Sequence, residues 1–213
     1  MPKNLMPGEK FVFSIKWWYN INDHVVDRAR SGYETFEDGN RGYVIAQFYP
    51  RMAVYNDVEG WQNSQFWGRD EFALPFGNFE VNITVPADHI LDATGDLQNR
   101  KEVFSKEMMD RYEAAQKSYD KPVIIVTQAE AEAASKGFST AKKTWKFKAE
   151  NVRDYAFATS RRYIWDMMAV KMGNRSVMAV SLYPPEGNPL WEDWSTFAVA
   201  STLKTYSRMT FDY

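Results

Sequence analysis

The chain has 213 residues, 45% hydrophobic and 25% charged, with a net charge of −2. A chain of this length buries roughly 70% of the surface its unfolded form exposes, and its interspersed charges draw it neither to nucleic acid nor to an anionic membrane. Without cysteine there are no disulfides, thiolate nucleophiles or Cys-type zinc sites; no apolar run reaches the ~20 residues of a membrane span, and "MPKNLMPGEK" has no signal-peptide core.

In chain order, the first pattern is "FVFSIKWWY", where Phe11, Phe13, Ile15, Trp17 and Tyr19 share one face and Ser14 and Lys16 the other. That is the period of a strand. "YVIAQF" predicts a second strand, which Pro50 interrupts, so an edge, bulge or break is expected there. "RMAVY" resumes extended structure and "NDVEGWQNSQFWGRD" is turn-rich. Phe79, Val81, Ile83 and Val85 then alternate with Glu80, Asn82 and Thr84, a half-buried strand, and "HILDATGDLQ" is expected beside it with Gly95 at a bulge or bend.

Residues 101 to 137 change character. Ser105 can cap a helix carrying Met108, Tyr112 and Ala115, "PVIIVT" predicts a short buried strand, and Thr127 with Glu130 forms a capping box ahead of an Ala-rich helix ending near Gly137. "TWKFKA", "VRDYAFATS", "RYIWDMM" and "RSVMAVSLY" return to strands. After the loop "PPEGNP", a helix is expected from about Trp191 to Met209, with Trp194, Phe197, Leu203 and Tyr206 toward a core. The fold class expected is mainly β: an antiparallel saddle-like or sandwich sheet domain, with a helical insertion near 101–137 and a C-terminal helix.

Few residues suggest chemistry. His24 and His89 each lack a second histidine three to five positions away, so neither opens a zinc-binding helix, and both are read as ordinary turn or surface residues. Asp57 with Glu59, and Asp70 with Glu71, could form a glycosidase-type carboxylate pair, but such a pair must face across a cleft, and loop carboxylates are usually just solvated. Trp17, Trp18, Trp61 and Trp67 could build a platform for sugars or peptides; against this, aromatics favour strands and fill cores, and Trp17 alternates with apolar neighbours. Arg153 and Asp154 are adjacent charges in an apolar strand, which predicts one buried, paired charge with a structural role. Neither a G-x-S-x-G elbow, a P-loop nor a dinucleotide-binding glycine pattern occurs.

Four segments, "LMPGEKFVFSIKWWYNI", "AQFYPRMAVYNDVEGWQ", "GRDEFALPFGNFEVNITVPADHILDATGDLQN" and "KTWKFKAENVRDYAFATSRRYIWD", follow one another in the order seen in bacterial zinc aminopeptidases. The chain thus resembles the family of aminopeptidase N and leukotriene A-four hydrolase. The resemblance implies that residues 1–183 correspond to the family's N-terminal β domain without its first strands, and that 184–213 correspond to the loop and first helix of the catalytic domain. It implies that "AQFYPRMAVYND", with Gln47, is a structural corner near the mouth of the active-site cleft. The family's H-E-x-x-H helix and G-x-M-E-N strand are missing from this sequence, so no catalytic, substrate-binding or metal residue is assigned and no cofactor is expected in the chain itself. Zinc belongs to the full-length parent, whose compartment stays open. The partners implied are the parent's catalytic domain and, through it, a peptide substrate; nucleic acid and a membrane span are not expected. The isolated chain is expected to self-associate through its uncovered faces. The competing reading is a free-standing β-sandwich module with an aromatic sugar- or peptide-binding platform.

Overall fold

The computed structural model describes residues 4–64 and 73–211. Its strands are β1 (Gly32–Thr35), β2 (Arg41–Ala46), β3 (Val54–Asn56), β4 (Gly60–Gln62), β5 (Gly77–Pro86), β6 (Ile90–Ala93), β7 (Asp96–Leu97), β8 (Val123–Val126), β9 (Lys142–Val152), β10 (Ala156–Ser160), β11 (Ile164–Met172) and β12 (Arg175–Tyr183). The helices are α1 (Arg100–Val103), α2 (Lys106–Ala115), α3 (Gln128–Ser135) and α4 (Leu190–Met209), with a single 3₁₀ turn at Pro185–Gly187. The strands form antiparallel sheets in the orders β1-β2-β10-β6, β12-β11-β8, β5-β9-β7 and the hairpin β3-β4. The protein is therefore mainly β with a C-terminal helix.

Alternation explains the best strands. On β9, Trp145 and Phe147 are buried while Lys146 and Lys148 stand exposed, and β5 pairs with it so that Val81 lies opposite Phe147 and Ile83 opposite Trp145. These side chains enter the main core with Leu91, Leu97, Val103, Ile125, Tyr155, Trp165 and Met167. β11 has no such alternation because it is covered on both faces. Trp165 and Met167 enter the main core on the α2 side, while Met168, Val170 and Met172 meet Ala200 and Leu203 of α4 on the other. Residues 101–137 hold most of α1 and then α2 and α3, which frame β8; β8 pairs with β11, so the helical stretch contributes a strand to the sheet. Its caps are as the sequence predicts. Ser105 Oγ accepts from Met108 N, and Thr127 and Glu130 make a reciprocal capping box.

Three expectations need correction. "FVFSIKWWY" forms no strand and pairs in no ladder among the described residues, and its predicted inner face remains about half exposed, from Phe13 at 52% to Trp17 at 46%. "HILDATGDLQ" does not lie beside β5: β6 pairs with β10 and β7 with β9. The bend between them does fall at Gly95, whose φ of +91° and closeness to the Lys148 carbonyl leave no room for a Cβ. In α4 the residues turned inward are Thr196 and Ala200, with Leu203 half-buried, whereas Trp194 is 64% and Tyr206 69% exposed. The small residues let the helix approach the sheet closely, and the large ones are turned out.

Replacing Ile83 with Asp should cost roughly 3 kcal/mol or more in a urea titration, because it buries an unpaired charge against Trp145. Replacing exposed Asn82 with Asp should cost less than about 1 kcal/mol. Equal losses would contradict the register of β5.

Candidate functional site

The segment after β2 turns at Gln47, whose φ of +55° is the left-handed conformation that a side chain seldom adopts. Gln47 is exposed, whereas Phe48 and Tyr49 turn inward. Phe48 meets Tyr155 and Phe157 edge-on at ring-centroid distances of 6.5 and 5.3 Å, and Tyr49 meets Phe79 at 5.7 Å. β2 has already ended at Ala46, and Pro50, which has no N–H to pair, keeps the segment from resuming a ladder. Past it, Arg51 reaches back to the junction of β9 and β10. One oxygen of Asp154 receives the Tyr49 hydroxyl at 3.1 Å and the Tyr155 amide at 2.7 Å, with Arg51 NH1 ion-paired at 3.2 Å. Arg51 NH2 donates to the Arg153 carbonyl at 2.6 Å. Burial pushes the Tyr49 hydroxyl up to about 12, so it remains a proton donor throughout the physiological range. Outside the corner, Trp17 Nε1 donates to the Phe48 carbonyl at 3.0 Å and ties the extended N-terminal segment to it. The corner is thus braced from below while Gln47 faces solvent.

The predicted pairing of Arg153 and Asp154 resolves with Asp154 as the engaged charge. Arg153 is exposed, with its guanidinium 5.7 Å from the Phe76 ring centre.

Sequence reasoning missed three carboxylates. Asp166 on β11 is 1% exposed and accepts from Tyr183 at 2.7 Å and from Thr196. Thr196 and Ser195 also reach Ser181 Oγ at 2.7 and 2.8 Å, so the network joins α4 to β11 and β12. Burial holds the Asp166 carboxyl above the usual carboxylate range. Asp88 is raised by burial, but the Ser139 amide and the Arg161 guanidinium outweigh this and hold it below its ordinary value. Arg161 also donates to Asn40, which is 2% exposed. Asp92 on β6 has the opposite balance. Burial pushes its carboxyl up to about 7, only partly offset by the Ala93 amide and the charge of Arg100. Beside it in the same core, the Tyr155 hydroxyl is buried with no hydrogen-bond partner among the described residues. The available signal was an acidic residue inside an apolar strand, in "HILDAT" and "YIWDMM".

The other candidates are dispersed. His24 lies 3.6 Å from Glu34. His89 is a core residue rather than a surface one: it is 5% exposed, its Nδ1 lies 3.2 Å from the Thr159 hydroxyl, and burial with the nearby Arg161 charge lowers it to about 4. It is neutral at physiological pH. The turn "VPADH" told of the loop and not of the packing above it. Asp57 and Glu59 are exposed on the β3–β4 hairpin, where Asn56 Oδ1 accepts from Val58 N and Glu59 N. Trp61 is 62% exposed and meets Tyr55 edge-on at 5.2 Å, while Trp18 is 86% exposed. Trp67, Asp70 and Glu71 lie outside the described residues. No three His, Cys, Asp or Glu side chains among the described residues converge as metal ligands, and the two histidines, engaged as above, do not fit a zinc site. No described helix is long and apolar enough to cross a membrane.

No family model, curated protein or solved structure matches the chain.

The Asp92 carboxyl makes stability pH-dependent in a definite direction. Its folded pKa lies above its unfolded value of ~3.9, so the folded state binds a proton more tightly. The favourable contribution is complete below about pH 4 and is lost as pH rises to about 7, a loss of a few kcal/mol at most. Asp92→Asn should remove that part of the pH dependence and raise the urea midpoint at pH 8. An unchanged difference between pH 4 and pH 8 stability would contradict it.

Proposed function

We propose that this chain is a non-catalytic β domain of a zinc-dependent, aminopeptidase-like metallopeptidase, scaffolding the enzyme and walling its active-site cleft. The ordered motifs from "LMPGEK" to "RRYIWD" support the family, and the mainly β fold agrees with it. The observation that carries the domain reading is the surface of α4. A twenty-residue helix that packs on a sheet through Thr196, Ala200 and Leu203 would ordinarily be polar elsewhere. Here Leu190, Trp194, Tyr206 and Met209 are 64%, 64%, 69% and 71% exposed. Exposed apolar side chains along one helix support a face that another protein surface covers. In the proposed enzyme that cover is the catalytic domain, and the braced corner at Gln47–Arg51 borders the cleft. The zinc and the residues that act on the peptide belong to that other domain, so this chain supplies shape and rigidity.

The exposed Tyr55–Trp61 pair favours the second reading, an aromatic platform for sugars or peptides. Saturable quenching of tryptophan fluorescence by oligosaccharides or peptides, lost on Trp61→Ala, would support it.

The test of the main reading uses a product of the same reading frame extended past Tyr213. It should contain an H-E-x-x-H helix, hold one zinc per chain after dialysis and release amino acids from chromogenic amides. Trp194 should be shielded from a fluorescence quencher in that product and open in the 213-residue chain, which should hydrolyse nothing. A reading frame without the motif, or a long product that holds no zinc, would contradict the proposal.

A further inference from the structure

At the far end of the β11–β12 hairpin lies a pocket of about 450 Å³, lined by Tyr119, Lys171, Asn174, Arg175 and Ser176. All five lining residues are exposed, so this is an open surface concavity and not an enclosed cavity. Two cations line it, and no carboxylate does. The Lys171 and Arg175 side chains make no ion pair or hydrogen bond with any described residue, unlike Arg51, Arg111, Arg161 and Arg162. The local charge also opposes that of the whole chain. Lys117, Lys121, Lys171 and Arg175 are accompanied in these two segments by Asp120 alone, in a protein whose net charge is −2.

Both walls are fixed. The hairpin is an unbroken nine-pair ladder from Ile164–Tyr183 to Met172–Arg175, closed by a two-residue turn in which Gly173 takes φ +55° and Asn174 does not share the left-handed region. A positive φ at the first turn residue suits a two-residue hairpin turn, and glycine adopts it without strain. Ladder pairing sets Lys171 directly opposite Ser176. Tyr119 follows Ser118, whose carbonyl accepts the Ala169 amide at 2.8 Å and whose hydroxyl donates to the Lys121 carbonyl at 2.6 Å. The loop bearing Tyr119 is therefore pinned to β11, the strand that carries Lys171. The backbone is ordered before binding, so the ordering cost falls on the exposed Lys171, Arg175 and Tyr119 side chains.

We propose that this pocket binds a phosphate monoester carried on a flat organic group. An Arg fork and a Lys point charge together match a group that carries about −1.5 to −2 at neutral pH, better than they match a single carboxylate. Asn174 and Ser176 supply neutral hydrogen bonds, and the Tyr119 ring, 45% exposed, supplies a face for the organic part. The site is separate from the Gln47 corner and from the open face of α4, and it does not depend on the function proposed above.

The test is a titration of the ¹⁵N-labelled chain with phenyl phosphate, inorganic phosphate and benzoate. Phenyl phosphate should shift the Gly173–Ser176 amides saturably, with a Kd on the order of 0.1–1 mM. Inorganic phosphate should bind the same amides more weakly, and benzoate about tenfold more weakly than phenyl phosphate. Lys171→Gln with Arg175→Gln should weaken phenyl phosphate about tenfold or more, with the urea midpoint unchanged because both side chains are exposed. Tyr119→Ala should reduce phenyl phosphate to the affinity of inorganic phosphate. Benzoate binding as tightly as phenyl phosphate would overturn the phosphate assignment. Shifts that do not saturate, or a double variant that binds like the unaltered chain, would overturn the site.

Discussion

One oxygen of Asp154 sets the shape of this protein. It collects the Tyr49 hydroxyl, the Tyr155 amide and the Arg51 charge, groups that arrive from two segments a hundred residues apart in sequence. Closing so long a loop has an entropic cost, and these half-buried polar contacts, made together, offset part of it. All three contacts converge on the one Asp154 oxygen. With them in place, Phe48 and Tyr49 are delivered into the aromatic cluster of Tyr155, Phe157 and Phe79, and the chain turns outward at Pro50. Without them, the left-handed backbone at Gln47 would have nothing to hold it.

The second organiser is β11, which is buried on both faces over Ile164–Val170 and carries one buried charge, Asp166. Because the carboxylate is answered by Tyr183 and Thr196, it fixes α4 across the sheet through directional bonds rather than through large apolar side chains. This leaves the aromatic residues of α4 outward, where the proposed function needs them. Stability and the proposed function share one cause here: the helix uses small and hydroxyl-bearing residues inward, so its apolar bulk stays exposed.

Local signals in the sequence carried far. The caps at Ser105 and Thr127, the alternation of β5 and β9, and the break at Pro50 are all decided within a few residues and stand in the structure as read. Pairing is not decided locally. Period-two alternation in "FVFSIKWWY" shows in the exposures, Trp17 at 46% against Trp18 at 86%, but no strand forms there, because alternation cannot supply a neighbour to pair with. The same limit placed β6 and β7 beside the wrong strand. Helical periodicity put the large residues of α4 inward, where tertiary contact chose Thr196 and Ala200. The corner at Gln47–Arg51 was legible as a break with charges nearby, whereas Asp92 and the hairpin pocket depend on which distant residues surround them.

A double-mutant cycle at the corner tests its role most directly. Arg51→Gln, Asp154→Asn and the double variant are unfolded in urea beside the unaltered chain, and the coupling energy is taken from the four stabilities. Both side chains are less than a third exposed, so a coupling of roughly 1–2 kcal/mol is expected, less than for a buried pair and more than for a surface one. Each single change should cost nearly as much as both together. Additive losses, with coupling below about 0.3 kcal/mol, would mean that the corner stands without its clamp and that the organising role given to Asp154 is wrong.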